Sequence, residues 1–163
     1  MKSRLLIAVF VAGLVPAASQ AQGLVTERSI SAALAVEAAQ AAVAACAERN
    51  FRVAAAVVDR SGQVKALVRA DGAGPHTVDG SRAKAFTSAT LRVPTSGAQT
   101  AVRENPAAST LPFLPGVVPL AGGVPIRAGE DVVGAIGVGG APSGLVDEEC
   151  ANAGIARIRD RLN

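Results

Sequence analysis

The chain has no tryptophan and no tyrosine, and four phenylalanines hold its aromatic fraction to 2%. A core without large rings must be filled by Ala, Val, Leu and Ile, with Gly letting backbones approach closely. The same shortage removes the stacking platforms of single-stranded nucleic-acid surfaces. No run of Lys or Arg occurs, so the clustered cations that phosphate backbones demand are missing, and nucleic acid is excluded as a partner. One histidine and two cysteines fall short of a convincing four-ligand structural zinc site. No stretch of the chain reaches the ~20 consecutive apolar residues that span a bilayer as a helix.

What is present begins at the N-terminus. Met1-Lys2-Ser3-Arg4 precedes an unbroken apolar run from Leu5 to Val15, the n-region and h-region of a secretory signal. Pro16 breaks the helix, and Ala17-Ala18-Ser19-Gln20-Ala21 supplies small residues at the cleavage positions. The pattern predicts a cleavable signal peptide over residues 1–21, with cleavage after Ala21, or alternatively after Ala18. Residues 22–163 then form one domain working in the periplasm or outside the cell, with no membrane span after cleavage. Loss of Lys2 and Arg4 takes two units from the formal charge of +3, leaving the mature chain close to neutral. In an oxidising compartment Cys46 and Cys150 are either a disulfide or two buried thiols acting as small apolar residues.

Along the domain, Ile30, Leu34, Ala38, Ala41 and Ala45 recur at helical spacing between Ser29 and Arg49. Val53–Val58 and Val64–Arg69 flank Asp59-Arg60-Ser61-Gly62, which suits a type I turn and predicts a β-hairpin with Val64, Ala66 and Val68 facing the core. Helices are predicted from Val78 to Leu91 and from a capping Thr95 to Glu104, with a proline-rich loop to Pro119. A second hairpin covers Gly123–Arg127 and Asp131–Val138, and Leu145–Leu162 closes the chain as a helix. Gly134 and Gly137 inside the last strand mark close approach of a helix or ligand. Hairpins with covering helices make an α+β domain.

Motifs for chemistry are sparse. Gly137-Val-Gly139-Gly140-Ala-Pro142 lacks the third glycine and the downstream βαβ unit of a dinucleotide site. Gly140-Ala-Pro-Ser143-Gly144 has the wrong spacing for a nucleophile elbow. No residue is assigned a catalytic role on these grounds. His76, the only imidazole, lies in the turn-rich Asp71–His76 segment and is either a solvated side chain or a ligand. Arg69, Arg82 and Lys84 place cations around it, and Thr77, Ser81 and Thr87 place hydroxyls. An imidazole with cations beside apolar surface is what a haem site requires: an axial ligand, partners for two propionates and an apolar slot.

Several motifs then resemble one family. They are Ala56-Val-Val-Asp59-Arg-Ser-Gly62, Asp71-Gly-Ala73, Ser81-Arg-Ala-Lys84-Ala-Phe-Thr87-Ser-Ala89, Pro94-Thr95, Gly122-Gly-Val-Pro125-Ile126, Val133-Gly-Ala-Ile-Gly137-Val-Gly-Gly140 and Asp147-Glu-Glu-Cys150-Ala-Asn-Ala-Gly154. In this order they resemble the GlcG/HbpS family of haem-binding, haem-degrading-type domains, over about residues 29 to 162. The resemblance implies a profilin-like α/β sandwich, a central antiparallel sheet with helices on both faces. It implies adjacent first and last helices, hence a Cys46–Cys150 bridge, and a homo-oligomer, octamers being typical. It also implies haem as ligand, bound for scavenging, buffering or sensing, with slow haem degradation as the enzymatic variant. His76 is then the favoured iron ligand and Thr77 the reserve, Arg82 and Lys84 are propionate partners, and Phe113 with Phe86 supplies the aromatic lining.

Two rivals use the same fold. One is a catabolic enzyme for a small anionic ligand, with Asp79, Arg82 and Lys84 in acid–base roles. The other is a structural oligomer with a protein partner.

Overall fold

Ser31 caps the first helix, its hydroxyl accepting from the Leu34 N–H at 3.3 Å. The computed structural model describes residues 23–162, so the predicted signal segment 1–21 lies outside the described residues. From the cap, α1 (Ala32–Ala47) buries Ala35, Ala38, Ala39, Ala42 and Cys46 along one narrow stripe. Strands β1 (Ala54–Asp59) and β2 (Val64–Arg69) form the first hairpin, then come α2 (His76–Leu91) and α3 (Thr95–Glu104). The proline-rich segment contains two single 3₁₀ turns, at Pro106–Ala108 and Leu111–Phe113. Strands β3 (Gly123–Ala128) and β4 (Asp131–Gly139) and helix α4 (Gly144–Ile158) complete the order.

The sheet runs β2-β1-β4-β3 and every pairing is antiparallel. Helices α1 and α4 pack side by side on one face, and α2 covers the other. This is the α+β domain that the residue pattern predicts, with helices on both sheet faces as the family resemblance implies. Because strand side chains alternate between faces, Val57 and Ile136 enter the core beneath α1 and α4, while Val58 and Ala135 meet Ala85 and Ala89 of α2.

Two sequence expectations need correction. Val64 is exposed instead of facing the core with Ala66, because Val57 pairs with Ala66 but Val58 with Val64. That bulge inserts Lys65 and reverses the facing of the residue beyond it. Thr95 does not cap α3: Pro94 holds that position, and the Thr95 hydroxyl accepts from the Gly123 N–H at 2.8 Å. Its oxygen is committed to β3, across the layer. The hairpin turn itself forms as expected, the Gly62 N–H reaching Asp59 O at 2.9 Å while Asp59 Oδ1 accepts from Ser61 and Gln63 N–H groups.

The α1–α4 contact shows how a chain poor in large side chains holds itself together. A Cβ at Gly154 would lie 2.5 Å from the carbonyl oxygen of Ala38, so the two helices meet nearly backbone to backbone. Cys46 and Cys150 are bridged across that contact, with 5.6 Å between Cα atoms and a sequence separation of 104. Arg49 pairs with Glu149 at the rim, and Glu37 takes Arg157 at 3.1 Å and Arg161 at 2.6 Å. The Arg161 hydrogen bond holds the Glu37 carboxyl below its usual range. These exposed pairs add little stability, since water screens them.

A cross-link closing a loop of that length restricts the unfolded chain by about 4 to 5 kcal/mol. The double variant Cys46→Ala/Cys150→Ala is therefore expected to lose about 4 kcal/mol in urea unfolding, within the range typical of removing a native disulfide. A loss below about 1 kcal/mol would show that the helix contact does not need its covalent tie.

Candidate functional site

On α2, Thr77, Ser81, Lys84 and Ser88 recur at four-, three- and four-residue spacing and are all buried. This face lies against glycines of β4. A Cβ at Gly137 would stand 2.1 Å from Ser81 O and 2.4 Å from the Ala85 nitrogen, so only glycine lets the helix come this close. The consequence is a lysine on the buried side of its helix. Lys84 Nζ donates to Val138 O at 3.0 Å and to Asp147 Oδ2 at 2.8 Å, while Asp147 Oδ1 accepts from the Ala141 N–H at 3.0 Å. The Asp147 side chain keeps 3% of its surface exposed and that of Lys84 11%.

Removing two charges from water costs several kcal/mol per ion, which mutual attraction offsets only with good geometry. At Asp147 burial outweighs the opposing pull of Lys84 and of the Ala141 and Gly140 N–H groups, so its pKa is raised above the ordinary aspartate value. Gly122 closes the pair from above. Its φ of +129° suits glycine alone, and a Cβ there would lie 2.6 Å from Lys84 Nζ. Next to it, Glu148 accepts from Ser96 N and Ser96 Oγ at 2.8 and 2.9 Å and from Gly122 N at 3.3 Å. It thereby fastens the start of α3 to α4.

The ion pair forms the floor of a cleft of about 350 Å³, near the lower end of small-ligand sites. One wall is the first two turns of α2, with His76, Thr77 and Gly80. The Gly139–Gly144 loop makes the opposite wall, and Gln99, Leu120 and Ala121 close the side. His76 is exposed on the rim, its ring folded over Gly74, where a Cβ would meet Cε1 at 2.8 Å. Thr77 is buried, and its hydroxyl donates to Gly74 O at 2.7 Å.

Three of the five residues singled out as haem ligands or partners thus come together: His76, Thr77 and Lys84. Arg82 is exposed and outside the lining, because it lies five residues from Thr77 and so on another side of the helix. Phe113 is 82% exposed on its 3₁₀ turn, also outside the lining. Phe86 packs over Gly62 and Gly116 instead. Asp79, cast beside Arg82 in the enzymatic alternative, is exposed and outside the cleft. Among the described residues no group of three or more His, Cys, Asp or Glu could hold a metal ion by itself. Sequence reasoning missed Asp147, Gln99 and Ser143. The spacing that buries Lys84 was a usable signal for Asp147, because a buried ammonium requires an anion nearby.

A family model described as "Haem degrading protein HbpS-like" matches residues 30–156. The chain belongs to the HbpS-like family. Among solved structures, a double mutant of HbpS from Streptomyces reticuli is 39% identical, with a TM-score of 0.80 over 89% of this chain and 97% of that one. The Klebsiella pneumoniae protein ORFY is 27% identical, with a TM-score of 0.79 over 84% of this chain and 95% of that one. A haem complex of PduOC has a TM-score of 0.73 over 80% of this chain and 95% of that one, and at 22% identity it shows the HbpS-like fold alone. No curated protein matches the chain.

The buried pair can be tested by breaking and then replacing it. Lys84→Met should cost about 3–5 kcal/mol at neutral pH, because it leaves Asp147 charged and uncompensated. Loss of the cation raises the folded-state pKa of Asp147 further above its unfolded value. The stability attached to a raised carboxyl pKa is present below the unfolded pKa and is lost as pH rises through the folded one. The deficit of Lys84→Met should therefore shrink in acid. Lys84→Met/Asp147→Leu should cost less than Lys84→Met alone. Urea unfolding at neutral and acidic pH measures both effects.

Proposed function

We propose that this protein is an exported haem-binding protein of the HbpS type, which captures haem outside the cytoplasm to scavenge, buffer or sense it. The observation that carries the reading is the only imidazole of the chain, His76, standing on the rim of the cleft in a member of a haem-linked family. Haem needs an axial donor, a cation for its acidic edge and apolar contact. His76 fits the first requirement, Lys84 the second, and Leu120 with Ala121 the third. A cleft of about 350 Å³ admits an edge of the macrocycle and leaves the remainder outside. Thr77 is the less suited donor, because it is buried while His76 is exposed at the rim.

When bound, haem supplies a redox-active iron and an intense visible chromophore. The protein's own contributions are narrower: His76 offers a nitrogen at the rim, and the walls exclude water from one edge. Arg82 and Asp79 stand away from the cleft, which leaves the catabolic alternative without its assembled acid–base set. Export is supported by the n-region and h-region before Ala21 and by a disulfide of the kind oxidising compartments maintain. No helix among the described residues is long and apolar enough to cross a membrane.

With no Trp or Tyr the apoprotein absorbs little near 280 nm, so a bound porphyrin dominates its spectrum. Haemin added at micromolar concentration should give a saturable Soret band at one equivalent or a fixed fraction of it. Absence of that band would contradict the haem reading. His76→Ala should shift or abolish the band; an identical spectrum would retain haem binding and remove the ligand assignment. Secreted protein should begin at Gln22.

A further inference from the structure

Lys84 has three N–H donors, and the fold uses two of them, for Val138 O and Asp147 Oδ2. The remaining N–H has no protein acceptor among the described residues, and Lys84 lines the cleft. Two long helices also begin there, α2 with 16 residues and α4 with 15. Pro75 gives α2 no side-chain cap, but Asp79 in its first turn offsets the positive end of the dipole and Ser143 caps α4, so the remaining Lys84 N–H is the donor on offer.

We propose that the floor of the cleft is a seat for a single carboxylate group, which takes the remaining N–H of Lys84 and shares that cation with Asp147. This rests on the cleft of the haem reading and assigns the end of the ligand that enters it: the acidic edge goes in, and the iron stays at the rim. The charge balance sets the class. The titratable groups of the lining are His76 and Lys84 from α2 and Asp147 from α4, with no arginine among them. Glu148 is turned away toward Ser96. One cation already paired with one buried anion can accept a monoanion, whereas a phosphate dianion would add two charges without the bidentate cation that favours it. Asp147 therefore acts as a specificity residue, because its charge sets how much of Lys84 an incoming anion can claim.

A propionate of haem and a free small carboxylate share this chemistry, and two arms separate them. Haemin and haemin dimethyl ester, which lacks free carboxylates, are titrated into the native protein. Haemin is expected to bind about ten-fold or more tightly than the ester, the scale of one charge-assisted hydrogen bond. Asp147→Asn, which keeps an acceptor for Ala141, is expected to tighten haemin binding several-fold. Equal affinity for haemin and its ester overturns the proposal while leaving haem binding intact. If haemin gives no Soret band at all, the haem reading fails, and sodium propionate followed by ¹H–¹⁵N NMR decides the seat alone. Saturable shifts at Gly122 and Ala141 support a free carboxylate ligand, and unmoved resonances overturn it.

Discussion

The ammonium of Lys84 is where the layers of this protein meet. It rises from α2, bonds to the last strand through Val138 O, and reaches α4 through Asp147, which in turn holds the Ala141 turn between strand and helix. An ion this deep is tolerated only because each of these partners is in place. The glycines around it follow from that demand. Gly137 admits the helix to the sheet, and Gly122 leaves room for the nitrogen itself. The cleft is the residue of the same arrangement, since its floor is the pair and its walls are the chain segments the pair ties together.

The opposite face obeys a different constraint. Without large aromatic side chains, α1 and α4 cannot interlock through bulk, so they approach through Ala38, Ala42 and Gly154 until backbones touch. Such a seam buries little area per residue, and hydrophobic stabilisation scales with area. The Cys46–Cys150 bridge stabilises this seam by restricting the unfolded chain. It also sits one turn from Asp147 on α4, so the covalent tie and the ion pair steady the same end of that helix.

The elements were largely legible because the alanine spacing of α1, the two hairpin turns and the glycines of β4 each have a local cause. Val64 was misplaced because a bulge leaves no mark in an alternating pattern. Thr95 was misread because a capping hydroxyl and one that serves a neighbouring strand look alike in sequence. At the site, His76, Thr77 and Lys84 could be gathered from proximity along one helix. Arg82 and Phe113 were near in sequence or suitable in type, but helical phase and exposure carry them elsewhere. Asp147 was visible only as the first residue of the Asp147–Gly154 motif, because its partner lies 63 residues away and only the folded sheet brings them together.

The proposed reading joins a haem-linked family to a cleft that holds a cation, an imidazole and an apolar wall in one place. The central claim is that haem edges into this cleft and not onto another surface. Ferric haem broadens the NMR signals of nuclei near its iron, so a ¹H–¹⁵N spectrum recorded with haemin locates it directly. Broadening centred on Thr77, Gly80, Gly140 and Ser143 is the predicted result. Broadening centred on Phe113, or on the α1–α4 face, would contradict the account.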